Sequence, residues 1–292
     1  MKRSLFTKLP LLVACSLLFT ACGGTSASSE EDSALETESA SPASTAEQTE
    51  TEAAVPPADP NLLFEDEFNG TALDESKWSL CPEWKRQGEL DIWEHDMTSL
   101  DGEGHLVLRA EWDDQKSRVK SGAIRTYDLF SAGYGYYEAS IKFPIAPGTW
   151  GAFWMMCGDV NSEANGAADG VEIDIIESIG NNWGACNHAL HWDGYGDAHK
   201  QANSGELYNH TIYDGQFHTF GLERTETGYI FYIDGKESWR VDADQCAPCP
   251  EEGYLKLTVE AADWAGAGSD ECIAGLPGEM LVDYVRVYRQ KP

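Results

Sequence analysis

Along residues 62–288 apolar and polar positions alternate in short runs, each closed by a turn signal. Residues 105–110 follow an Asp101-Gly102 turn, and residues 133–143 alternate until Pro144 stops them. Residues 217–223 alternate again, and residues 229–233 run into Asp234-Gly235, a strong hairpin signal. Residues 254–260 and 280–288 complete the set. A period of two places successive side chains on opposite faces of a strand. No stretch has the period and length of a long amphipathic helix. Many short strands with regular turns predict an all-β sandwich.

One run departs from the pattern. Val171-Glu-Ile-Asp-Ile-Ile-Glu-Ser178 is strongly β-branched, which suits a pleated surface, yet holds three carboxylates. Glu172 and Asp174 share a face by parity, with Ile173 and Ile175 turned to the core. Glu177 would then fall on the apolar face, where a carboxylate without a partner is costly. One extra residue at Ile175-Ile176, a β-bulge, returns Glu177 to the side of the other two acids. Three adjacent carboxylates repel one another, which raises at least one pKa. An ionised carboxylate beside a protonated one is the equipment for breaking a glycosidic bond. The competing reading is a solvated acidic face on an edge strand.

The N-terminus adds an address. Lys2, Arg3 and Lys8 precede an apolar stretch over residues 9–21, too short for a comfortable membrane span. Small residues lead into Cys22 in a pattern that resembles a bacterial lipobox, with Phe19 where Leu is usual. Residues 1–22 are therefore expected to be a lipoprotein signal with Cys22 lipidated, which would put the chain at the bacterial cell surface. Ordinary secretion is the alternative. Residues 23–60 are rich in Ser, Thr, Ala and Glu, with nine acidic and no basic residues. Such a segment buries too little surface to offset its ordering entropy and is expected to be a disordered tether. Residues 61–292 remain as one domain, expected to act as a monomer.

Charge and cysteines then narrow the partners. Removing three basic and nine acidic residues from the totals of 20 and 50 leaves 17 and 41, a net charge of −24. This excludes nucleic acid, and contact with an anionic membrane beyond the lipid anchor, while a neutral polymer meets no repulsion. Six cysteines remain in the domain: Cys81, Cys157, Cys186, Cys246, Cys249 and Cys272. Cys246 and Cys249 have CxxC spacing without the context of a redox or zinc site, so a structural disulfide or free thiols are expected. Cys157 and Cys186 flank the acidic strand and could bridge.

Taken together, these segments resemble glycoside hydrolase family 16. The resemblance is carried by Phe64-Glu-Asp-Glu-Phe-Asn-Gly70, Ser121-Gly-Ala-Ile-Arg125, Tyr134-Gly-Tyr-Tyr-Glu138 and Trp150-Gly-Ala-Phe-Trp154, with Gly151 where the family has Pro. Glu172-Ile-Asp-Ile-Ile-Glu177 matches its bulged signature, and Val282-Asp-Tyr-Val-Arg-Val-Tyr288 its closing strand. It implies a concanavalin A-like β-jelly roll of two antiparallel sheets with the substrate cleft on the concave one. It implies retaining endo-hydrolysis of a β-1,3- or mixed β-1,3/1,4-glucan, with Glu172 as nucleophile, Glu177 as acid/base and Asp174 between them. Arg125, Trp150, Trp154, His191, Trp192, Glu260 and Trp264 are the corresponding substrate contacts. No cofactor is expected for catalysis. A structural Ca²⁺ is implied at the backbone oxygens of Glu67 and Gly104 and the side chain of Asp283. A red-algal galactan is the alternative substrate, and a non-catalytic lectin the alternative from another class.

Overall fold

A computed structural model describes residues 59–83, 91–178, 185–207, 212–262 and 275–292. In chain order the strands are β1 (Leu62–Asp66), β2 (Ser79–Leu80), β3 (Asp91–Trp93), β4 (Thr98–Leu100), β5 (Leu106–Trp112), β6 (Val119–Ser121), β7 (Ala123–Arg125) and β8 (Gly135–Lys142). They continue with β9 (Thr149–Gly158), β10 (Gly170–Ser178), β11 (Cys186–Trp192), β12 (Lys200–Asn203), β13 (His218–Thr225), β14 (Gly228–Ile233), β15 (Lys236–Asp242), β16 (Gly253–Ala261) and β17 (Gly278–Tyr288). Every stretch predicted as a strand is one, with ends shifted by a residue or two.

The strands pair into two sheets. One runs β15-β14-β13-β8-β17-β5-β6-β3, with β1 added on β17 and β4 on β5. The other runs β12-β11-β10-β9-β16-β7-β2. The sheets are antiparallel as expected, and among the described residues the short edge pairing of β3 with β6 is the one parallel exception. Asp234 and Gly235 join β14 to β15 at φ +49° and +70°, as a two-residue turn with both central residues left-handed requires.

The inner faces meet in one core. Ile173, Ile175 and Ile176 of β10, Phe153 and Met155 of β9, and Leu255 and Leu257 of β16 pack in the same cluster as Ile141, Phe220, Val282 and Val285 of the larger sheet. Full burial of each such aliphatic or aromatic side chain contributes about 1.5–3 kcal/mol, so the sandwich supplies a rigid floor for its outer surface.

The Cys157–Cys186 bridge does not form. Cys157 lies opposite Val171 and Cys186 opposite Ser178, so the two sit toward opposite ends of β10, on its two flanking strands. At about 3.3 Å per residue that separation is far beyond the roughly 7 Å limit for Cα atoms of a disulfide. Cys81, Cys157, Cys186, Cys246 and Cys249 are all buried free thiols. Cys272 lies outside the described residues.

Arg224 is buried without an ion pair among the described residues. It donates to the carbonyls of Ala132 and Gly133 at 3.1 Å, Cys249 at 3.0 Å and Glu251 at 2.9 Å, tying two loops to β13. Arg224→Leu should therefore strand several buried acceptors and lower stability by about 3–5 kcal/mol in urea melts. A loss under about 1 kcal/mol would show that water replaces the guanidinium there.

Candidate active site

The outer face of the seven-stranded sheet is ordered in rungs. Glu172 on β10 stands between His191 on β11 and Met156 on β9, with Gln201 beyond His191 and Tyr254 beyond Met156. Two residues along, Asp174 stands between Ala189 and Trp154, followed by Lys256 on β16 and Arg125 on β7. The next rung joins Asn187, Glu177, Ala152 and Thr258, and the last pairs Trp150 with Glu260.

Glu177 belongs to this face because β10 carries a bulge. The register with β9 slips between Asp174 and Ile176, and that with β11 between Asp174 and Glu177. Ile175 and Ile176 both enter the core as a result. In a strand of unbroken alternation Glu177, five residues from Glu172, would point inward against the larger sheet.

The outer carboxylates sit in unlike surroundings. Glu177 is buried, 8% exposed, and accepts hydrogen bonds from Trp150 Nε1 at 2.9 Å and Asn187 Nδ2 at 2.6 Å. Burial raises its pKa to about 7, helped by the negative charges of Glu172 and Glu260 and opposed by those two hydrogen bonds. Glu172 is half-buried and accepts a 2.5 Å hydrogen bond from the Tyr195 hydroxyl. Asp174 is buried, with His191 Nε2 3.4 Å from its Oδ2. Burial, then the charge of neighbouring His199, lowers the His191 pKa to about 4, so this imidazole is neutral near pH 7. His191 Nδ1 lies 3.0 Å from His199 Nε2.

These groups line a cleft of about 820 Å³ together with Trp93, Trp150, Trp154, Tyr195 and Lys256. Of the expected contacts, Trp150, Trp154, His191 and Glu260 line it. Arg125 is on the same face, one strand beyond Lys256 and outside the main cavity. Trp192 is a correction: with His191 turned outward, strand parity sends Trp192 into the core, where it is 8% exposed. Trp264 lies outside the described residues.

Tyr195, Asn187, Lys256 and Trp93 were not expected here. Asn187 and Lys256 could have been reached by stepping two residues at a time along β11 and β16. Tyr195 and Trp93 come from outside the sheet's central strands and leave no such signal.

Glu172, Asp174 and His191 place possible ligand atoms within 4.8 Å of one another, the one such group among the described residues. It coincides with the carboxylate row and defines no separate centre. The residues expected to hold Ca²⁺ belong to the larger sheet and its loops. The Glu67 carboxylate is engaged by Arg286 through two 2.8 Å hydrogen bonds, which leaves its backbone carbonyl as the donor it can offer. Gly104 sits at φ +98°, and Asp283 lies where the β17–β8 register slips. All three would supply oxygen, the donor Ca²⁺ takes.

Comparison with known proteins covers this whole region. The family described as "Beta-porphyranase A-D, GH16 domain" matches residues 60–290. A glucan endo-1,3-beta-glucosidase A1 of Niallia circulans is 28% identical over 272 residues, covering 80% of this chain and 39% of its own. A keratan-sulfate endo-1,4-beta-galactosidase of Sphingobacterium multivorum is 29% identical over 246 residues, covering 79% and 56%. The chain thus spans only part of the length of these relatives. A GH16 protein of the Bacteroides ovatus mixed-linkage glucan PUL, solved with a G4G4G3G product, superposes with a TM-score of 0.65 at 26% identity. That match covers 77% of this chain and 99% of the other.

Proposed function

The chain belongs to glycoside hydrolase family 16, and from that premise we propose that it is a retaining endo-glycosidase cutting internal linkages of a β-1,3- or mixed β-1,3/1,4-glucan. One observation carries the reading. The bulge in β10 brings Glu172 and Glu177 to one cleft wall, where burial raises the Glu177 pKa to about 7. Two carboxyl groups in opposite protonation states are what double displacement uses.

In the first step a Glu172 oxygen attacks the anomeric carbon as the bond to the leaving sugar breaks, and Glu177 gives its proton to the departing oxygen. In the second, Glu177 takes a proton from water, the water oxygen attacks the same carbon, and Glu172 leaves as a carboxylate. Tyr195 disperses the charge on Glu172 by donating to Oε2. Asp174 stands between them with His191 Nε2 3.4 Å away, and the charges of Glu172 and Glu260 favour a protonated Glu177. Trp150 orients Glu177, and Trp154 and Trp93 offer aromatic faces to sugar rings.

Glucan is favoured because the glucan-named relatives include the solved product complex. A second reading, a galactan substrate, is favoured by the matching family's description and by the galactosidase relative. Product analysis on laminarin, barley mixed-linkage glucan, agarose and carrageenan separates the two. Oligosaccharides from the glucans alone support the first reading, and release from the galactans alone overturns it. Binding without release from any of them would support a lectin.

Two further parts of the proposal rest on the sequence. The leader and Cys22 support export and lipid anchoring at the cell surface. Cys22→Ala should move the chain from the membrane to the soluble fraction, and unchanged fractionation would rule the anchor out. Ca²⁺ at Glu67, Gly104 and Asp283 would brace the larger sheet and take no part in bond cleavage.

A further inference from the structure

We infer that His188 is a positioning residue for the acid/base: one buried imidazole joins the bulge of β10 to a second bulge in the opposite sheet, and this strut sets where Glu177 stands. It rests on the reading that Glu177 is the acid/base, and it acts on that group from the core side, through the backbone of Ile175.

The bulge in β10 is one residue long. Against β9, Asp174 pairs with Trp154 and Ile176 with Phe153, which leaves Ile175 as the extra residue. Against β11, Asp174 pairs with Ala189 and Glu177 with Asn187, so Ile175 and Ile176 stand opposite His188 alone. A bulge puts its extra residue outside the regular ladder. Here the Ile175 carbonyl accepts from His188 Nδ1 at 2.5 Å. A carbonyl can only accept, so Nδ1 carries the proton of this contact. Both residues are fully buried, where a hydrogen bond is strong and an unmet partner is costly.

The far side of the ring repeats the arrangement. His188 Nε2 lies 2.8 Å from Ser238 Oγ on β15. β15 is bulged as well: Phe231 pairs with Trp239 and Tyr232 with Glu237, which leaves Ser238 as its extra residue. The imidazole thus runs from the extra residue of one sheet to the extra residue of the other. Phe231 at 4.9 Å between ring centres, and Trp239 within 5° of parallel at 6.4 Å, fix the plane of the ring. The backbone is held too. The His188 N–H donates to Ser204 Oγ at 3.0 Å, and its carbonyl accepts from the Ser204 N–H at 3.0 Å.

Its place on β11 makes this strut a control on the acid. Asn187 and His188 are consecutive and face opposite ways. Asn187 points outward and donates to the Glu177 carboxylate at 2.6 Å. His188 points inward and holds the carbonyl two residues before Glu177. β11 therefore grips the bulge on both faces. A slip of one residue would turn Glu177 toward the core. Smaller shifts also matter, because a displacement of about 1 Å at a reacting group can cost about 10²-fold in rate. Glu172 lies before the bulge, in register with His191 and Met156, and keeps its place when the strut is cut.

Two substitutions separate the strut from packing. His188→Phe keeps a ring between Phe231 and Trp239 and removes both nitrogens. His188→Asn fills less space but offers an amide N–H near the place of Nδ1. On the polysaccharide that the parent chain cleaves, His188→Phe is expected to lower kcat by about 10–100-fold while KM changes less than about threefold. His188→Asn should recover most of that loss. An aryl glycoside whose phenol leaves without a proton should keep a first-step rate within about threefold of the parent in both variants, read from the burst of phenol. The reverse order, with Phe active and Asn impaired, would make the ring a packing group and overturn the inference. Equal slowing of the polysaccharide and of the aryl glycoside would overturn it too, since the damage would not pass through the acid. Should His188→Phe fail to fold, Ser238→Ala cuts the far end of the strut on a partly exposed strand. It is expected to lower kcat on the polysaccharide by about three- to tenfold, and an unchanged kcat would overturn the inference. Full polysaccharide activity in Glu177→Gln would instead overturn the acid/base reading itself.

Discussion

Glu172→Gln should abolish turnover while leaving the fold unchanged. The amide has nearly the shape of the carboxylate but cannot form the glycosyl ester that the first displacement requires. Loss of the group that makes the covalent bond should lower kcat by at least about 10⁴-fold, the scale on which nucleophile removal is felt in other covalent mechanisms. Stability should change by less than about 1 kcal/mol, because Glu172 is half-buried at the cleft wall and the Gln oxygen can still accept from Tyr195. Steady-state kinetics beside a urea melt checks both halves. A variant that keeps most of its activity would show that another group is the nucleophile.

Glu177→Gln should show a different signature. Removing a general acid typically costs about 10²–10⁴-fold, and only where the leaving group needs a proton. Hydrolysis of polysaccharide should therefore collapse, while release of an acidic phenol from an aryl glycoside should survive the first step. The parent enzyme should lose kcat/KM as pH rises through about 7, because Glu177 must be protonated to act and burial sets its pKa there. The direction of change in two neighbours follows from the same causes. Asn187→Ala removes a hydrogen bond to the charged form and should move the basic limb to higher pH. Glu260→Gln removes a nearby negative charge and should move it lower. A limb that ignores both substitutions belongs to some other group.

Much of the fold is legible in the sequence where a strand has one wet and one dry face. β5 and β17 alternate between buried and more exposed positions, and the Asp234-Gly235 turn announces its hairpin. The bulge is legible for a different reason: Glu177 has the wrong parity, and a buried carboxylate on the core face is too costly to accept. β9 is harder to read. Its outward row is Trp150, Ala152, Trp154 and Met156, as apolar as its inward row, because that outer surface is a cleft floor and not a solvated face. Alternation vanishes where function asks for apolar residues on both sides.

The site divides along the same line. Groups on β10 and its immediate neighbours follow from counting in twos, and the error over Trp192 is a parity slip of that kind. Tyr195 reaches Glu172 from beyond the left-handed pair Asp193 and Gly194, so its approach is a property of the loop and not of any strand. The Cys157–Cys186 pairing fails because adjacency in strand order says nothing of position along the strand. Lys256 was hidden by its type: a lysine in an alternating strand ordinarily reads as a solvent-facing residue, and only the register shows it walled in by two indoles.

The central claim is that Glu172 carries the sugar between the two steps, and trapping that intermediate tests it most directly. A 2-deoxy-2-fluoro glycoside with a good leaving group slows both steps by destabilising the oxocarbenium-like transition state, yet still lets the ester form and accumulate. The chain treated with this reagent should gain the mass of one glycosyl unit, and peptide mapping should place it on Glu172. A label on Asp174, Glu177 or another residue, or no label alongside products of inverted anomeric configuration, would contradict the account.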